Sequence, residues 1–113
     1  MNINDILNKI NNDLKRLNKD IHLGIITRKD LNEYKCALYS TGAFIFKGIH
    51  IDPKYIGTVN EMIENNKEPI YISIKDNYYD SLTDISNLKN TLKNLNLYDQ
   101  LLTSTQNDLD KIN

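Results

Sequence analysis

Apolar side chains at Ile3, Leu7, Ile10, Leu14, Leu17 and Ile21 recur at spacings of 4, 3, 4, 3 and 4 residues. That rhythm puts all six on one face of an α-helix, with Ile6 widening the stripe and Asn, Asp and Lys filling the opposite side. Asparagine is a poor helix former, but the periodicity outweighs the propensity over a segment of this length. The seam resembles a coiled-coil heptad. It also suits an amphipathic helix packed on its own domain.

From Ile21 the period shortens, and Ile21–Thr27 reads as a strand followed by a polar connection over Arg28–Glu33. Two continuations compete here. Thr27 with Asp30 forms a capping-box pattern that would start a helix running from Arg28 to Leu38. The alternation of Tyr34, Cys36 and Leu38 with Lys35, Ala37 and Tyr39 favours a strand instead. Thr41-Gly42 then supplies a turn, and Ala43–Ile51 reads as the returning strand. Its apolar phase flips from Phe44 and Phe46 to Ile49 and Ile51, which a β-bulge at Gly48 would explain.

Asp52-Pro53 is a helix start, with Asp as N-cap and Pro at the first helical position. Ile56, Val59 and Ile63 form that helix's apolar stripe, and Asn65-Asn66 ends it. Ile70–Lys75 alternates cleanly, with Ile70, Ile72 and Ile74 opposite Tyr71, Ser73 and Lys75, as in a sheet covered on one face and wet on the other. Beyond it, Leu82, Ile85, Leu88, Leu92 and Leu95 return to helical spacing. Either one helix spans about Tyr78 to Ile112, or a break near Asn94–Asn96 divides it. The break is favoured, because Asn96 with Asp99 resembles an N-cap and its first-turn acid. The pattern thus predicts one α+β domain over residues 1–113. It comprises an N-terminal amphipathic helix, a small antiparallel or mixed sheet of about four strands with one middle helix, and a C-terminal long helix or helical hairpin.

Composition sharpens this picture. The 113 residues include 17 Asn, 16 Ile, 14 Leu and 12 Lys against 1 Val, 2 Ala and 2 Arg, a bias that AT-rich coding produces. A formal charge of −1 excludes a simple electrostatic binder of nucleic acid or membrane surfaces. A single Cys excludes an intrachain disulfide framework and a cysteine zinc cluster. No apolar run approaches the length of a membrane span, and the Asn- and Asp-studded start does not read as a signal peptide. The expected setting is a soluble, reducing compartment, taken as the cytoplasm.

Candidate chemistry is sparse. His50-Ile51-Asp52 would place a histidine and a carboxylate on one strand face, but Asp52 is accounted for as a cap and His22 lies far away in sequence. Cys36 would need a nearby histidine to act as a nucleophile, and its alternation with Tyr34 and Leu38 reads as a small buried hydrophobe. Phosphate-loop, nucleophile-elbow and zinc-protease patterns are absent. The expectation is a chain that is no enzyme and takes no cofactor or metal.

The densest candidate is DNYYDSLTD. On a helix, Asp76, Asp80 and Asp84 would form a ridge beside Tyr78 and Tyr79, and tyrosine favours recognition surfaces. The plainer account makes Asp76 and Asp80 caps and first-turn acids stabilised by the helix dipole, with one tyrosine filling the core. Charge is uneven along the chain: residues 1–35 hold 7 basic and 5 acidic groups, residues 76–113 hold 3 and 6. Tyr78, Tyr79, Asp80 and Asp84 are therefore the predicted partner-binding residues of a small non-enzymatic protein-binding module. Size and composition associate such a module with phage or mobile-element inhibitors of a host defence complex, as anti-CRISPR proteins are. Its partner would be a host enzyme or nucleoprotein complex, and no membrane. The alternatives are a nucleic-acid-binding accessory protein using Lys and Tyr on an open sheet face, and a structural protein that dimerises through the heptad-like helices.

Overall fold

The computed structural model describes residues 2–41, 45–46, 49–50, 53–74 and 77–112, with the backbone alone at 41, 45–46, 49–50, 74 and 77–80. The architecture is α+β, with five α-helices and a three-stranded antiparallel sheet among these residues. Helix α1 (Ile3–Arg16) follows an Asn2 cap whose side chain accepts the Asp5 amide at 2.9 Å. Its seam residues Ile6, Leu7, Ile10 and Leu14 are buried, whereas Leu17 is partly exposed.

Strand β1 (Ile21–Ile25) leads into helix α2 (Arg28–Thr41). The strand expected from Tyr34 is therefore helix. The capping box decides the matter: Thr27 N–H donates to Asp30 Oδ2, and Asp30 N–H donates to Thr27 Oγ1, each at 3.2 Å. In helical geometry Leu31 and Tyr34 share the inner face and are almost fully buried, while Cys36 is exposed rather than packed. The return strand is also corrected. Strands β2 (Ile45–Phe46) and β3 (Ile49–His50) pair antiparallel, so the chain reverses between them instead of running on as one strand. Gly42, Ala43, Phe44, Gly48, Ile51 and Asp52, on which the expected turn, bulge and cap fell, lie outside the described residues.

Helix α3 (Lys54–Glu64) begins directly after Pro53 and buries Val59, with Ile56 and Ile63 half-buried. Strand β4 (Ile70–Ile74) is central in the sheet order β1-β4-β5. Its partner on one side is β5 (Asn77–Thr83), in the place where a helix was expected. Among the described residues the main sheet has three strands, with β2 and β3 as a separate pair, so a sheet of about four strands is not found there. The break at Asn94–Asn96 is present: α4 (Leu88–Asn94) ends there, and α5 (Thr103–Asp110) follows after a short 3-10 turn over Tyr98–Gln100. Asn96 does not cap a new helix. It terminates α4 with φ of 60°.

Both sheet faces carry apolar layers. On one, α1, α4, α5 and the 3-10 turn pack over Leu23, Ile70 and Ile72. On the other, Leu31 and Tyr34 of α2 and Val59 of α3 pack with Ile26 and Tyr71. The face that alternation marked as wet is thus covered around Tyr71, leaving exposed His22 and half-buried Ser73 towards the other end. Opposite Tyr71 in register stands Gly24, where an added Cβ would overlap the tyrosine ring. The glycine lets the ring lie flat on the neighbouring strand.

Candidate functional site

The predicted carboxylate ridge required a helix, and β5 is extended. Pairing of Ile72 with Ser81 and of Ile74 with Asn77 leaves Tyr78, Tyr79 and Asp80 opposite Ser73 alone, an irregularity that interrupts the ladder. The side chains of Tyr78, Tyr79 and Asp80, and all of Asp76, lie outside the described residues. Asp84 lies just beyond the strand and is 4% exposed. Its carboxylate accepts from Ser86 Oγ at 2.5 Å and from the Asn87 amide at 3.0 Å, and Lys67 Nζ stands 3.7 Å away. Burial opposes ionisation, but these hydrogen bonds and the lysine together outweigh it and hold Asp84 below the usual carboxylate range. Capping thus occupies Asp84.

Among the described residues the nucleophile and metal candidates do not converge. Cys36 faces outward on α2, and its carbonyl accepts the Ser40 hydroxyl at 2.8 Å. His22 is exposed on β1, its ring 6.3 Å from that of Tyr71. His50 lies in β3, with its side chain outside the described atoms. Among the described residues no three His, Cys, Asp or Glu side chains gather to hold a metal ion. Burial pushes the Tyr34 phenol far above its usual range, with Tyr71 and Asp30 adding to the effect. Tyr71 is raised in the same direction, first by burial and then by Asp30. Both phenols stay neutral, as suits core tyrosines.

The outer face of α2 is where the structure departs most from the expected site. Turning Leu31 and Tyr34 inward directs Lys29, Asn32, Glu33, Cys36 and Ser40 outward, where with Ala37 they border an open cleft of about 720 Å³. Tyr39 follows on the same helix and is 90% exposed, the most exposed large apolar side chain among the described residues. Tyr55 is half-buried, and Tyr34, Tyr71 and Tyr98 are buried. In the sequence Tyr39 differs little from Tyr71 and Tyr98, since all three lie off the apolar stripes. Smaller recesses lie elsewhere on the surface. A polar one of about 530 Å³ lies between the end of α1 and the start of β1, lined by Asn12, Lys15, Lys19 and His22 among others. A more apolar one of about 300 Å³ lies at the end of the sheet, between the starts of α2 and β4.

Comparison of the chain with protein families, with curated proteins and with solved structures finds no match.

Proposed function

We propose that this chain is a small non-enzymatic protein-binding module that acts through surface complementarity. The observation that carries the reading is Tyr39, held 90% exposed by a helix whose opposite face is anchored in a core. An aromatic ring of this kind buries about 150–250 Å² on docking, and tyrosine is enriched among the residues that dominate binding energy. The mixed polar side chains around Cys36 supply the kind of rim that such an anchor needs. Tyr78, Tyr79 and Asp80 form the second element of the proposal, at the irregular stretch of β5. Inhibition of a host enzyme or defence complex by a phage or mobile-element protein is its sharper form, motivated by size and composition.

Two observations weigh against the alternatives. Nucleic-acid stacking on the covered face of the sheet would need Tyr71 exposed, and Tyr71 is 4% exposed beneath α2 and α3. Dimerisation through the α1 seam needs that seam free, and Ile6, Leu7, Ile10 and Leu14 are spent on the chain's own core.

The test is affinity capture from host lysate with the full chain and its Tyr39→Ala and Asp80→Lys variants in parallel. A specific protein should be retained by the parent chain and lost, by about ten-fold or more in affinity, from Tyr39→Ala at unchanged melting temperature. Equal capture by all three chains would overturn the α2 assignment. Retention of DNA or RNA alone at low salt would overturn the function.

A further inference from the structure

Strand β1 ends at Ile25, and the chain leaves the sheet through Ile26 and Thr27 into α2. At the same end, α3 finishes near Asn66 and Lys67, and Pro69 leads into β4. The Ile26 amide donates to the Pro69 carbonyl at 3.0 Å, tying the two segments together. Between them opens the recess of about 300 Å³. Its floor is Ile25, Ile26, Ile63 and Pro69, of which Ile26 is 1% exposed. Ile25 packs against the α1–α4–α5 layer, whereas Ile26 and Ile63 belong with the α2–α3 layer. The recess therefore sits where the two apolar layers meet at the end of the sheet.

Its rim is charged. Arg28, Lys67 and Glu68 line it, and all three are exposed. Arg28 makes no ion pair among the described residues, and Lys67 shares its ammonium group with Asp84 at 3.7 Å. With Lys67 engaged by Asp84, Arg28 is the rim cation without an ion pair among the described residues, and a guanidinium above an apolar floor fits an amphipathic anion.

We propose that this recess binds a small organic monocarboxylate, with its apolar body on half-buried Ile25 and Ile63 and its charge facing Arg28. Guanidinium is the side chain best matched to a carboxylate, since its planar fork offers two parallel donors. Size sets the rest: at about 30 Å³ per water the recess holds roughly ten waters, which suits an acid of about six to eight carbons and not a peptide segment. Glu68 on the rim repels a second negative charge and selects against dicarboxylates. The site is separate from Tyr39 and the outer face of α2, and it stands or falls independently of the protein-binding role.

Titration of the full chain with hexanoate and phenylacetate, followed by isoleucine methyl NMR, tests the proposal. The methyl signals of Ile25, Ile26 and Ile63 should shift, while those of Ile10 and Ile72, sealed in the opposite layer, stay in place. Hexanamide and phenylacetamide should bind about three-fold more weakly or worse, the effect expected of an exposed charge pair. Arg28→Gln should remove most of that difference between acid and amide at unchanged melting temperature. Absence of these shifts at millimolar acid, or equal binding of acids and amides, would overturn the proposal. Tighter binding of an N-acetylated tripeptide ending in leucine would move the site to a peptide terminus and overturn the small-molecule assignment.

Discussion

Three asparagines, Asn18, Asn66 and Asn96, adopt positive φ of 58°, 59° and 60°, and each stands one residue past a helix C-cap. At all three the same pair of bonds closes the helix. Asn18 N–H donates to Lys15 O and Lys19 N–H to Leu14 O; Asn66 to Ile63 and Lys67 to Met62; Asn96 to Lys93 and Leu97 to Leu92. This is the Schellman arrangement, which usually takes glycine at the left-handed position. In a chain with 4 Gly and 17 Asn, asparagine carries the role, since it tolerates that conformation best among residues with a Cβ. Replacing any one of the three with Ala should cost about 1 kcal/mol, while Gly should be neutral or slightly stabilising. Urea unfolding of the six single variants checks this. Alanine variants as stable as the parent would mean that the left-handed caps contribute nothing.

At the scale of elements, β1 is an edge strand, and an edge strand invites pairing with another chain. Asn11, on α1, answers this with its carboxamide: Nδ2 donates to Leu23 O and Oδ1 accepts from Leu23 N–H, both at 3.0 Å. The side chain takes the place of one residue of a neighbouring strand. Asn11→Ala should lose about 1–2 kcal/mol in denaturant unfolding and should promote concentration-dependent association in light scattering. A destabilised but strictly monomeric variant would show that the edge is protected by something else. Elements differ in how plainly the chain announces them. The α1 seam and the alternation of β4 are visible because each has one dominant apolar face and an unbroken period. In α2, Tyr34, Cys36 and Leu38 satisfy a period of two, while Leu31 and Tyr34 satisfy the helical one; the Thr27–Asp30 box settles the conflict. Strand β5 stayed hidden because its irregular stretch at Tyr78–Asp80 erases the alternation, leaving the four-residue spacing of its aspartates to imitate a helix. The expected carboxylate ridge rested on that imitation, whereas Asp84 caps the turn that follows β5. The exposure of Tyr39 depends on what packs against α2, and the neighbours Val59 and Tyr71 lie some twenty or more residues further on.

For the whole molecule, two carboxylates tie together segments that the sheet alone would leave apart. Asp84 links the end of β5 to Lys67 beyond α3. Asp110 links α5 to α4 through Lys89 at 2.7 Å and to Tyr98 Oη at 2.8 Å. Hydrogen bonds from Lys89 and then Tyr98 hold Asp110 below the usual carboxylate range, as the Ser86, Asn87 and Lys67 contacts hold Asp84 despite its burial. A carboxyl with a depressed folded pKa contributes stability above its unfolded value, near pH 3.9, and that contribution disappears as pH falls through the lower folded value. Folding should therefore weaken steadily from about pH 4 downward. Asp84→Asn and Asp110→Asn should each be less stable than the parent at pH 7, and each should show a shallower acid limb. Their urea midpoints should converge on that of the parent as pH falls through the depressed folded values, where the parent's own carboxylates become protonated. Midpoints that stay a constant distance apart from pH 7 to pH 2 would mean that the asparagine variants lose packing rather than charge. In that case the acid limb would belong to other groups. The two clasps join different segments, so the double variant also reports on their independence. Additive losses are expected, because Asp84 and Asp110 share no partner.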